Sequence, residues 1–204
     1  GAASEKMRLT SDGKLGIGTT SPSYPLHVDG TINGVGISSN ITNFSESILI
    51  SNDAGTGTLS SASNNTGLGY EVFDDITSAV GNTAVGRKAL TALTTGSNNT
   101  AMGLNAMLVN TTGSNNVAIG RLALDANTTG SYNTALGTAA LGANTTADEN
   151  TAVGYVAGSA ITTGTYNTLI GSEAGDAITT GSQNVAMGKS ALGALTTGDA
   201  NVAI

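Results

Sequence analysis

The chain has 204 residues, of which 29 are Gly, 3 % are aromatic and 10 % are charged, with no Cys, no Trp and a formal net charge of −7. The missing Cys excludes a disulfide framework or a thiolate metal site, and the acidic balance argues against a nucleic acid or an anionic membrane surface as partner. At 39 % hydrophobic residues the chain is no disordered tract, but its core must be built largely from small side chains, which favours thin, closely spaced layers of backbone.

In chain order, Met7–Thr10, a turn at Ser11-Asp12-Gly13-Lys14 and Leu15–Gly18 read as a β-hairpin. Thr19-Thr20-Ser21-Pro22 reads as a loop, and Leu26-His27-Val28 as a short strand ended by Asp29-Gly30. Residues 1–30 are therefore expected to form a small β connector. Residues 31–64, rich in Gly, Ser and Asn with an apolar island at Ile48–Ile50, are expected to be a transition, partly strand and partly loop. His27 is the single histidine, and no base–nucleophile arrangement uses it, so it reads as an ordinary strand residue.

From Asn65 onward a short phrase recurs without slipping. It begins at Asn65, Asn82, Asn99, Asn116, Asn133, Asn150, Asn167 and Asn184, and a ninth copy at Asn201 is cut by the chain end, always at an interval of 17 residues. Ending within a repeat, the chain reads as part of a longer protein. The unit is N-T-A-h-G-x-x-A-h-x-A-x-T-T-G-x-x, with h apolar, and such self-similarity marks a repeat architecture. Seventeen residues are too few for a helix pair and suit two short strands joined by two turns. The first strand is N-T-A-h-G, whose alternation puts the second and fourth positions on one face. The second strand is expected over A-h-x-A, with corners at T-T-G and G-x-x. The expected fold of residues 65–204 is all-β, a parallel β-solenoid or β-roll with one 17-residue coil per repeat and a rise of about 4.8 Å per coil.

Two readings of the recurrent Asn are open: a continuous ladder of stacked amides along the axis, or a plain turn former. The Ala of the third and eighth positions and the Gly of the fifth are expected to form an outer stripe against a partner subunit, which predicts a homotrimer.

No catalytic, metal or cofactor site is expected. The pairs Asp74-Asp75 and Asp148-Glu149 do not sit in a calcium-loop pattern and read as solvated turns. No phosphate loop or dinucleotide fingerprint accompanies the glycines, and no apolar run is long enough to insert into a membrane. N-x-T sequons such as Asn98-Asn99-Thr100 read as by-products of the repeat. Tyr132, Tyr155 and Tyr166 are candidate surface contacts for sugars, against the plainer reading of exposed turn residues.

The stretch MRLTSDGKLGIGTTSPSYPLHVDG resembles a connector of phage tail fibres and related surface fibres, and the NTAVG and NVAIG phrases resemble the head repeats of trimeric autotransporter adhesins. The resemblance implies left-handed parallel β-rolls standing three side by side. It implies an extracellular fibre segment, on a virion tail or a bacterial surface, that spaces or forms a region recognising a host, prey or other surface through a glycan or protein receptor. The alternative is a monomeric repeat protein that binds ice or a repetitive glycan surface.

Overall fold

The computed structural model describes residues 7–17, 19–22, 26–28, 36–41, 44–51 and 61–204. The expected strand end at Asp29-Gly30 and much of the 31–64 transition lie outside the described residues. The chain divides into two compact units, Gly1–Ile37 and Ser38–Ile204, and no helix occurs among the described residues.

In the first unit, β1 (Met7–Leu9) and β2 (Leu15–Ile17) form an antiparallel hairpin with Met7 opposite Ile17. Its turn closes with Thr10 N donating to Lys14 O at 2.9 Å, and Gly13 takes φ +81°. Asp12 accepts from the Thr10 hydroxyl and pairs with Lys14 at 2.8 Å. β3 (Leu26–Val28) lies parallel to β2, with Leu26 opposite Leu15.

The second unit is a parallel β-solenoid. After β4 (Gly36–Ile41), β5 (Phe44–Ser51) and β6 (Ala62–Ser63) come β7 (Thr66–Leu68), β8 (Thr83–Val85), β9 (Thr100–Met102), β10 (Val117–Ile119) and β11 (Thr134–Leu136). β12 (Thr151–Val153), β13 (Thr168–Ile170), β14 (Val185–Met187) and β15 (Val202–Ala203) complete the series. From β7 to β15 each strand pairs in parallel with the next, at a register of 17 residues: Thr66 lies opposite Thr83, Thr83 opposite Thr100, and so on to Val185 opposite Val202. The sheet begins upstream of Asn65, because Ile48–Ile50 of β5 pairs in parallel with Thr66–Leu68.

Each strand is short because its ends leave extended geometry. The residue before each Asn is left-handed, as at Asn98 and Asn115, both at φ +60°. The Gly at the fifth position takes φ +122° to +141° along the column from Gly69 to Gly188. That Gly also meets its own copy in the next coil: a Cβ on Gly137 would stand 2.2 Å from the Gly154 carbonyl oxygen.

The expected second strand over A-h-x-A is absent. Residues at the seventh and ninth positions are left-handed instead, for example Lys88 at +60° and Leu90 at +51°, which bends the chain where a strand would run straight. The backbone groups there still pair between coils, in alternating directions: Lys88 N donates back to Tyr70 O at 2.8 Å, and Leu90 N donates forward to Ala106 O at 3.1 Å. This satisfies the main chain without a regular ladder.

The expected outer stripe of Ala is also corrected. Ala84, Ala101, Ala118, Ala135 and Ala152 at the third position, and Ala89, Ala106, Ala123, Ala140 and Ala157 at the eighth, are completely buried inside the coil. Strand and opposite turn approach so closely there that a methyl group fills the space. The wider end of the lumen takes Leu90, Leu93, Met107, Leu124 and Leu141, all buried. In two coils the ninth position is Gly158 and Gly175, and Leu169, which replaces Ala at the third position, fills the gap; a Cβ on either Gly would lie 2.7 Å from a Leu169 methyl. Core volume is thus redistributed between neighbouring coils.

The stacked glycines give a test. Gly137→Ala adds both left-handed strain and a clash with Gly154, whereas Gly142→Ala, whose Cβ would meet nothing nearer than 3.3 Å, adds neither. Thermal unfolding is expected to place Gly137→Ala below Gly142→Ala by about 1–3 kcal/mol, the usual cost of overpacking.

Candidate functional site

The outer surface of the shaft depends on what is held inside it. The Asn column from Asn65 to Asn184 is buried, and each side chain serves two neighbours. Asn65 Oδ1 accepts from both the backbone N and the Nδ2 of Asn82, at 2.9 and 3.0 Å. Asn82 Nδ2 also donates across the lumen to Gly96 O at 3.0 Å, so the amide ties the strand to the T-T-G corner. The pattern repeats through Asn99, Asn116, Asn133 and Asn167 to Asn184, and it ends with Asn201 N and Nδ2 both donating to Asn184 Oδ1 at 2.9 Å. In Asn150 the backbone N makes the coil-to-coil bond to Asn133 Oδ1 at 3.0 Å.

Three further columns carry side-chain hydrogen bonds between coils. Asn110, Asn127 and Asn144, at the twelfth position, are fully buried, and Asn127 Nδ2 donates to Asn110 Oδ1 at 3.0 Å. Their 17-residue spacing was visible, but only three coils carry them. The first Thr of each T-T-G donates its hydroxyl to the same residue's carbonyl in the next coil, as Thr94 does to Thr111 O at 3.0 Å. At the sixteenth position a side-chain oxygen accepts a backbone N from the coil before, Ser97 from Val80 at 3.1 Å and Asp148 from Ser131 at 2.7 Å. Asp148 is therefore part of a ladder, while Glu149 beside it is exposed.

With Asn and Ala turned inward, the second and fourth positions of the repeat strands face outward. The fourth position forms an apolar column from Leu68 to Met187. Leu68, Met102, Ile119, Ile170 and Met187 are 37–49 % exposed, and Val85, Leu136 and Val153 are half-buried. The second Thr of T-T-G makes a separate exposed column, Thr95 to Thr197.

The three candidate tyrosines do not gather at one place. Tyr132 and Tyr166, 61 % and 55 % exposed, occupy the seventeenth position two coils apart, on one edge of the sheet. Tyr155, equally exposed, occupies the sixth position, beyond the other end of its strand. Tyr70, also at the sixth position, has the Arg87 guanidinium 5.5 Å from its ring centre. Beside it Glu71 pairs with Lys88 at 2.9 Å; hydrogen bonds from Tyr70 and then Lys88 hold the Glu71 carboxyl below its ordinary range. Burial pushes the Asp125 carboxyl up.

Among the described residues no group of three or more His, Cys, Asp or Glu is placed to hold a metal ion, and no helix is long and apolar enough to cross a membrane. His27 lies in β3. The sequon asparagines Asn110, Asn127 and Asn144 are buried, whereas Asn98 is exposed. No protein-family model, curated protein or solved structure matches the chain.

The two amide columns are expected to respond differently to removal. Asn133→Leu deprives Asn150 N of its acceptor and takes one donor from the Ala147 carbonyl, at about 1–3 kcal/mol per buried group left unpaired. Thr138→Leu changes a half-buried sixth-position residue and should melt close to the parent. The pair Asn110→Leu with Asn127→Leu removes both partners of one bond and an Asn127 Oδ1 that has no partner. Gly113 O and Gly130 O keep their bonds from Asn99 and Asn116, so this double variant should stay within about 1 kcal/mol of the parent in the same melts.

Proposed function

We propose that the chain is a structural and adhesive segment of a homotrimeric extracellular fibre, a left-handed shaft of the kind carried on a phage tail or a bacterial surface, with no catalytic role. The observation that carries this reading is the apolar column on the outer face of the sheet. A repeated Leu, Val, Met or Ile at the fourth position of every coil leaves a continuous apolar stripe in water, and contiguous stripes of this kind mark surfaces that meet another protein. Covering the half or less of such a side chain that is still exposed is worth about 0.5–1.5 kcal/mol, and the column offers one per coil. Three straight shafts facing a common axis cover all three stripes and close the assembly. The likeness of the repeat phrase to trimeric adhesin heads supports three chains over two. A three-chain fibre also multiplies weak surface contacts into avidity, which suits recognition of a host or prey surface.

The stripe supplies the test. Light scattering coupled to size exclusion should give three times the single-chain mass of 19.9 kDa. Ile119→Lys combined with Met187→Lys, both outward-facing, should reduce that to one chain while circular dichroism keeps its β signature. A single-chain mass for the parent would sink the trimer and favour a lone shaft presenting its outer columns to ice or to a repetitive glycan.

A further inference from the structure

The seventeenth position forms one more column, at the edge of the sheet: Asn98, Asn115, Tyr132, Glu149, Tyr166 and Gln183, all exposed. All six are left-handed, with φ between 60° and 61°. Their backbone amides make the same bond to the coil before, Tyr132 N to Ser114 O at 3.1 Å and Tyr166 N to Asp148 O at 3.4 Å. Equal backbone geometry in equal register sends their Cα–Cβ bonds out in parallel. The two tyrosines therefore leave the same edge two coils apart, about 9.6 Å at the spacing of paired strands.

We propose that this column is a binding strip for a neutral, extended β-1,4-linked polysaccharide. In such a chain each sugar ring is flipped relative to the next, so every second ring shows the same face, at an interval close to two coil rises. Tyr132 and Tyr166 stack on alternate rings, and Glu149 between them takes hydroxyl hydrogen bonds from the intervening one. Asn115 and Gln183 continue the polar contacts at either end. Tyr suits the task because it gives a large flat contact with few rotatable bonds and a polar tip. The neutral character follows from charge: with a net charge of −7 and Glu149 on the strip itself, an anionic glycan is repelled. Neither remaining shaft tyrosine has this arrangement. Tyr70 has the Arg87 guanidinium over its ring, and two coils from Tyr155 in its own column stand Arg121 and Lys189.

The inference rests on the surface-binding half of the fibre reading and is independent of its three-chain half. The full chain is titrated calorimetrically with cellohexaose, chitohexaose and, as a curled α-1,4-linked control, maltohexaose. Tyr132→Asn and Tyr166→Asn keep the left-handed backbone, because the column itself uses Asn at Asn98 and Asn115; melting curves check that they fold. Binding of a β-1,4-linked hexasaccharide is expected, about tenfold weaker in either single variant, below detection in the double variant and unchanged in Tyr155→Ser. Absence of binding to both β-1,4 sugars, equal binding of maltohexaose, or undiminished binding in the double variant overturns the strip. The mass of the same samples keeps the two readings apart: a three-chain mass without sugar binding overturns the strip alone, and a single-chain mass with tyrosine-dependent binding overturns the assembly alone.

Discussion

In this shaft every residue has its own counterpart as a neighbour, about 4.8 Å above and below, so a side chain is tolerated only if it can sit on a copy of itself or on a chosen complement. Asn qualifies because one amide both donates and accepts. Thr qualifies when its hydroxyl turns to the carbonyl of the next coil, and Gly at the fifth position because nothing else fits. Charges do not stack on like charges, and the chain carries only 10 % of them. Where they occur they are set against a different neighbour, Lys88 on Glu71 and Arg87 on Tyr70.

The same stacking sustains a backbone that no single coil would hold. Leu90, Leu124, Leu141 and even the β-branched Val156 are left-handed, a conformation that costs about 1–2 kcal/mol per residue. They stay there because neighbouring coils fix their amides and, for the three leucines, because the lumen buries the side chain. Such a repeat has no stability of its own; it folds as part of a stack. The outward apolar column follows from the same geometry. A lumen wide enough only for Ala beside the strand forces the larger fourth-position residues to the other side of the sheet.

The period, the coil length and the hairpin were legible in the sequence because each rests on local pattern. Which face of the strand points inward was not. Alternation says that Thr83 and Val85 share a side and Ala84 does not; it is silent on the width of the cavity, and small Ala suits a contact surface as well as a narrow lumen. The missing second strand was equally hidden, since Leu and Met give no sign of left-handed geometry, whereas Asn98 and Asn115 do. The coil around Ile48–Ile50 escaped because its offset to Thr66–Leu68 is 18 residues, which breaks the period. That Tyr132 and Tyr166 share a repeat position and Tyr155 does not is legible in the 17-residue period; that this position lies on one edge of the sheet follows only once corners and strand are placed.

Near-identical repeats face a hazard of their own: a growing stack can thread one coil late and still satisfy most of its hydrogen bonds. The uneven filling of the lumen opposes this. Leu169 fits only over Gly158 and Gly175; displaced by a coil toward Leu192, it would meet a large side chain where it needs a void, at about 1–3 kcal/mol. The amide bond from Asn127 Nδ2 to Asn110 Oδ1 is likewise lost if a shift sets Leu93 or Ile161 beside Asn127. The departures from consensus thus act as a combination lock on the order of assembly, letting a monotonous exterior be built upon coils that are not interchangeable.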